Sequence, residues 1–270
     1  MQRRIVFCGD DFGLNAGVDA GILELAGLNR LSAVSCLAHG PSFAAHGPAL
    51  RDAGLDVGLH FNLTERFGST AQPEVLAPGK LLARACSGRL DSAWIERQLR
   101  AQLETFERVL GRAPDHIGGY RQVHQLPAVL PALLGALRRH YGNGPRPWLR
   151  HTAAGSQHGI PMADCARARL IGALGARGVE RAARRENWPI NRRMHGIYDM
   201  RGGARRYAGL LQRWLDNACD GDLLVCHPAG PGAQDARAAQ RQAEFEVWRR
   251  PEMAEWLRRN GIRCARLGRY

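Results

Sequence analysis

Short apolar runs alternate with stretches of helical period along almost the whole chain. The runs at 4–8, 33–38, 56–61, 116–120, 148–150, 196–199, 223–226 and 264–267 predict strands. They are apolar on both faces, as strands covered by helices on each side must be. A 3.6-residue period predicts helices over 16–28, 93–110, 128–139, 204–217 and 236–249. This alternation implies parallel strands joined by crossover helices, hence an α/β fold, either a doubly wound sheet or a β/α barrel. No internal repeat or low-complexity linker divides the chain, so residues 1–270 read as a single domain. Two segments break the rhythm. Residues 64–90, rich in Gly, Pro and Ala, and residues 153–193, rich in Ala and Arg, are predicted as rim excursions over the strand ends.

Composition changes this picture little. The 45% apolar and 23% charged content over 270 residues is that of a globular protein able to bury a sizeable core. No apolar run approaches the roughly 20 residues of a membrane span, so no transmembrane segment is predicted. Met1-Gln2-Arg3-Arg4 leads directly into a strand, which reads as the absence of a signal peptide. The seven cysteines lack CxxC spacing, and Cys8, Cys36 and Cys226 sit in apolar runs, which favours a reducing, cytoplasmic setting.

The formal net charge of +13 raises the question of nucleic acid. The basic residues are almost all arginine, with Lys80 the only lysine, and they are spread along the chain. Arginine with abundant Ala and Gly equally reflects GC-rich codon usage. No dedicated nucleic-acid partner is therefore expected, while an attraction to anionic substrates or membrane surfaces survives.

The chemistry begins at Asp10 and Asp11, which follow the run Ile5-Val6-Phe7-Cys8. Side chains of an extended segment alternate, so the two carboxylates can serve different tasks at one strand end. Two adjacent acids repel, which calls for a compensating partner. The bland alternative, a helix N-cap, accounts for one aspartate better than for both. In α/β folds functional side chains gather at the carboxyl ends of strands. That filter returns Asp10, Asp11, His60, Tyr120, His124, Arg150 and His227. Asp with His suits zinc or another divalent transition ion, and more oxygen donors would suit magnesium.

The segments Gly9-Asp10-Asp11-Phe12-Gly13-Leu14, Gly58-Leu59-His60-Phe61-Asn62-Leu63-Thr64-Glu65 and Cys226-His227-Pro228-Ala229 resemble the signatures of the YdjC-like carbohydrate deacetylases, of the chitooligosaccharide and hopanoid-associated types. The resemblance spans the chain in order and spacing. It implies an irregular, TIM-like β/α barrel whose metal-dependent site removes an acetyl group from an N-acetylated sugar or glycolipid. By motif position it makes Asp10 the general base, Asp11 and His60 metal ligands, and His227 an acid or oxyanion partner. The cofactor implied is a divalent metal, Mg or Zn.

One motif departs from the pattern. Similar proteins carry Asp-x-His-x-His-Val-His where this chain has Gly118-Gly119-Tyr120-Arg121-Gln122-Val123-His124. Tyr120 stands at the ligand position, and a phenol is a poor ligand unless the metal ionises it. Three readings stay open: altered metal binding through Asp11, His60 and Tyr120 or His124; a metal-free, catalytically impaired carbohydrate-binding protein; or a different hydrolytic chemistry on the same rim. Arg150 is a candidate substrate contact, and Trp148, Trp188 and Tyr198 are weaker sugar-stacking candidates. Asp-Phe-Gly without a glycine-rich loop or His-Arg-Asp segment excludes a kinase. The lack of Gly-x-Ser-x-Gly argues against a serine esterase. A homodimer is left open.

Overall fold

A computed structural model describes residues 2–67, 74–142 and 144–267. Its strands are β1 (Arg3–Phe12), β2 (Ala33–Cys36), β3 (Asp56–Phe61), β4 (His116–Gly119), β5 (Trp148–Leu149), β6 (Met194–His195), β7 (Leu223–Cys226) and β8 (Ile262–Cys264). The first five helices are α1 (Ala16–Gly27), α2 (Phe43–His46), α3 (Pro78–Cys86), α4 (Ser92–Leu110) and α5 (Val129–Tyr141). The rest are α6 (Met162–Ala173), α7 (Ala176–Glu186), α8 (Gly203–Asn217), α9 (Ala238–Arg249) and α10 (Pro251–Arg259).

All strand pairings are parallel, in the order β5-β4-β3-β2-β1-β7-β6, with β8 paired to the first residues of β1. Two single parallel bridges, Leu149 to Ile190 and Ala154 to Met194, join the two ends of this row. The result is an irregular β/α barrel, continuous through seven strands and closed by isolated bridges rather than a ladder. β1 lies at its centre with Ile5, Val6, Phe7 and Cys8 wholly buried. No helix among the described residues is long and apolar enough to cross a membrane.

The predicted strands and helices recur with small boundary changes, except three. The strand expected at 264–267 forms at Ile262–Cys264, sharing only Cys264, where it pairs with Arg3–Ile5 of β1. The strand expected at 196–199 forms instead at Met194–His195, because Gly196 takes a φ of 97° that ends the extended run. The expected helix at 236–249 is followed directly by a second, α10, started at Pro251. Within the segment 64–90 the structure places α3, and residues 68–73 lie outside the described residues. Within 153–193 it places α6 and α7.

The loop after β7 is held against α1 by absent side chains. A Cβ on Gly21 would lie 2.4 Å from the Gly230 amide nitrogen, and one on Gly17 would lie 2.3 Å from that of Ala233. The Gly230 N–H donates to the Gly17 carbonyl at 2.8 Å. Gly21→Ala should therefore push this backbone away and cost about 1–3 kcal/mol. Chemical denaturation checks the loss; a midpoint equal to the parent's would show that the loop yields freely.

Candidate functional site

β1 does not end as a regular strand. Between Gly9 and Phe12 its register against β2 slips, and Asp11 adopts a φ of 73°, a left-handed conformation rare outside glycine. This bulge overrides the alternation expected of an extended segment. Both carboxylates turn into one buried site, where Asp10 is 1% and Asp11 3% exposed. Neither is a helix cap, since Asn15 caps α1 by accepting from the Val18 N–H.

Two arginines balance the two acids. Arg150, just past β5, donates Nη1 to Asp10 Oδ2 and Nη2 to Asp10 Oδ1, both at 2.6 Å. Arg241 of α9 donates Nη2 to Asp11 Oδ2 at 2.6 Å. Burial alone would raise the Asp10 carboxyl, but the Arg150 guanidinium, with His60 nearby, holds it far below the usual carboxylate range. Burial likewise opposes Asp11, and Arg241, His227 and His60 outweigh it to lower that carboxyl. Both acids stay ionised.

His60, from β3, faces both. Its Nε2 lies 3.6 Å from Asp11 Oδ1 and its Nδ1 lies 4.0 Å from Asp10 Oδ1. Burial lowers its pKa against the pull of the two carboxylates, favouring the neutral ring. His227, directly after β7, places Nε2 4.0 Å from Asp10 Oδ2, and its backbone N–H donates to Glu244. Asp10 thus has an imidazole nitrogen at 4.0 Å from each of its oxygens. Each gap is too wide for a direct hydrogen bond.

The turn after β4 departs from the rest. Tyr120 packs its ring edgewise on His60, with centroids 5.7 Å apart. Its hydroxyl donates to Glu65 Oε2 at 3.1 Å. Burial, Asp11 and Glu65 together push the phenol up to about 12, so it stays protonated. His124 is buried with Nε2 at 2.8 Å from the Arg150 carbonyl, and its Nδ1 lies against Gly119. Burial brings its pKa down to about 3. A Cβ at Gly118 would stand 3.0 Å from Arg150 Nε, a buried nitrogen with no partner. The aspartate that the resemblance leads one to expect at 118 would begin beside that orphaned donor.

As a metal centre the donor set is incomplete. Among the described residues no three His, Cys, Asp or Glu side chains are arranged so that they could hold a metal ion. Asp11 Oδ1 and His60 Nε2 form a pair; Asp11 Oδ2 is taken by Arg241, and the third neighbour is a protonated phenol. This set does not fit a resident ion of the usual three-ligand kind.

Arg150 needs correction as a substrate contact. It is fully buried and its terminal nitrogens are occupied by Asp10, Ser35 and Cys8. It orients Asp10 instead. Trp148, Trp188 and Tyr198 are likewise all buried and packed in the core rather than presented to a sugar. The structure adds Arg241 and Glu244, which the sequence reading missed. They stand three apart on α9, a spacing that puts both on one face. Nothing in the sequence tied that face to Asp11.

Residues 4–259 match the family profile described as YdjC-like protein. A carbohydrate deacetylase of Mus musculus is 29% identical over 300 residues, covering 97% of this chain and 93% of its own length. A chitooligosaccharide deacetylase of Yersinia pestis is 34% identical over 150 residues, 52% of this chain and 57% of that protein. Among solved structures, an Enterococcus faecalis protein with a suggested role in cellobiose-phosphate cleavage superposes with a TM-score of 0.65 at 20% identity, covering 99% of this chain and 98% of that one. A peptidoglycan N-acetylglucosamine deacetylase gives 0.55 at 12% identity, with 98% and 86% covered. At these identities the structural likeness speaks to the fold.

Proposed function

Because the chain belongs to the YdjC-like family, we propose that it is a hydrolase that removes an N-acetyl group from an amino-sugar-containing glycan or glycolipid. The deacetylase names of its relatives support the reaction class. The observation that carries the reading is the Asp10 carboxylate, buried, ionised by Arg150 and flanked by His60 and His227.

In this mechanism Asp10 accepts a proton from the water that attacks the acetyl carbon. His227 meets the developing oxyanion and then protonates the amine nitrogen as the C–N bond breaks, leaving acetate and a free amino sugar. The proton on Asp10 returns to His227 through a water, since the 4.0 Å between them is too wide for direct transfer. His60 fixes the water between the acids. No step is assigned to a metal ion, since the donor set does not fit one. A carboxylate held as low as Asp10 is a weak base, so turnover should be slow and indifferent to chelators.

A second reading, carbohydrate binding without turnover, is favoured by Tyr120, which occupies the place where a third ligand is expected. One experiment separates the two: acetate release from N-acetylated chitooligosaccharides by the parent and by Asp10→Asn, each with and without EDTA. The deacetylase reading expects release that EDTA leaves intact and that the variant lowers roughly a hundredfold or more. Saturable sugar binding without acetate, equal in both proteins, would establish the binding module instead.

A further inference from the structure

A cavity of about 1060 Å³ opens between α5, the α6–α7 pair and the segments after β4 and β5. Its size is that of a small-molecule site, on the order of 300–1,000 Å³. Asp10, Asp11, His60 and His227 take no part in its lining, so it is separate from the site above.

Its charge is one-sided. Arg169, Arg177, Arg181, Arg185 and Arg193 line it, against the single carboxylate of Glu180, which is already engaged by Arg184. Arg169, Arg177, Arg181 and Arg193 make no ion pair among the described residues, so four guanidinium groups have no protein counter-charge, while Arg185 is paired with Glu186. The start of α7, at Gly175 and Ala176, also borders the cavity and has no side-chain cap. Its free N–H groups add to a field that favours an anion.

A buried histidine supplies a second, different signal. His151 is 1% exposed and lines the cavity. Its Nδ1 lies 3.1 Å from the Arg192 carbonyl oxygen, while its Nε2 is buried without a partner. A carbonyl only accepts, so Nδ1 carries the proton. Burial lowers the ring's pKa and keeps it neutral, which leaves Nε2 as an acceptor. An acceptor among cations has no use for an anionic oxygen. It calls for a hydroxyl on the same ligand.

We propose that this cavity binds a phosphorylated sugar, with its phosphate on the guanidinium groups of Arg169, Arg177 and Arg193 and one hydroxyl donated to His151 Nε2. Arginine forks match phosphate oxygens in paired hydrogen bonds, and the hydroxyl relieves an unmet buried acceptor. Leu130 and Leu134 of α5 supply an apolar wall suited to the carbon face of a pyranose ring.

Calorimetric titration of the full chain with glucosamine 6-phosphate, glucosamine and inorganic phosphate tests this without reading acetate release. Glucosamine 6-phosphate should bind saturably and roughly tenfold or more tighter than either fragment. Arg177→Gln and Arg193→Gln together should weaken it by roughly tenfold or more and leave acetate release unchanged. In His151→Phe, glucosamine 6-phosphate should bind only as well as inorganic phosphate does. Absence of saturable binding, phosphate binding equal to that of the sugar phosphate, or affinity indifferent to both arginine changes would each overturn the proposal. Failure here would leave the deacetylase reading untouched, because the two sites share no lining residue.

Discussion

Arg150→Met should destabilise the fold by about 3–5 kcal/mol and remove most acetate release, because it strands the buried Asp10 carboxylate without its guanidinium partner. Asp10 is 1% exposed and Arg150 is 0% exposed, so water cannot replace what is lost. The sign with pH follows from the direction of the Asp10 shift. Its pKa is lowered in the folded state from an ordinary 3.8, so the pair contributes fully above that value, and its contribution is lost as pH falls below it. Arg150→Met should flatten that acid limb. Adding Asp10→Asn removes the unpaired charge and should recover most of the lost stability, though none of the activity. Urea midpoints for the two single variants and the double variant form the cycle that checks this. Additive losses in that cycle would mean that the ion pair is not what holds this part of the site together.

The second large effect lies at Tyr120. Tyr120→His should replace a protonated phenol by an imidazole beside Asp11 and His60 and complete a three-donor set. Binding of Zn²⁺, followed by competition with a chromogenic chelator, should tighten by roughly a hundredfold, within the range expected for restoring a ligand. Adding Gly118→Asp should help further, since its carboxylate can reach the orphaned Arg150 Nε. Acetate release should rise in the metal-loaded variant and become sensitive to EDTA. Zinc affinity equal to that of the parent would show that position 120 does not face the pair.

Much of the fold is legible in the sequence because it rests on local signals. Buried parallel strands read as continuous apolar runs, and 56–61 and 223–226 coincide with β3 and β7 to the residue. The misplaced strand near 196 shows the limit. A two-residue strand carries no period, and its position was decided by pairing with β7 through Met194 and Leu223. The site was legible as a set of strand-end residues but not as a set of contacts. Arg150 was visible as a polar residue past a strand, yet only the structure shows it clamping Asp10 across 140 residues of chain. Arg241 was invisible, because one more arginine in an arginine-rich chain is unremarkable until Asp11 is found 2.6 Å away.

By itself, the sequence determined the alternation of strands and helices, the strand ends at which chemistry gathers, and the substitution of Tyr120 for an expected histidine. Each of these is written in residue type and spacing. The tertiary structure alone decided that both aspartates face one site, since a bulge at Asp11 cancels the alternation that spacing predicts. It also decided which arginine neutralises which acid, and that His151 leaves one nitrogen unmet in a basic cavity. Those facts depend on burial and on partners far apart along the chain, where the energy of a charge is set by its neighbours in space and not by its neighbours in sequence.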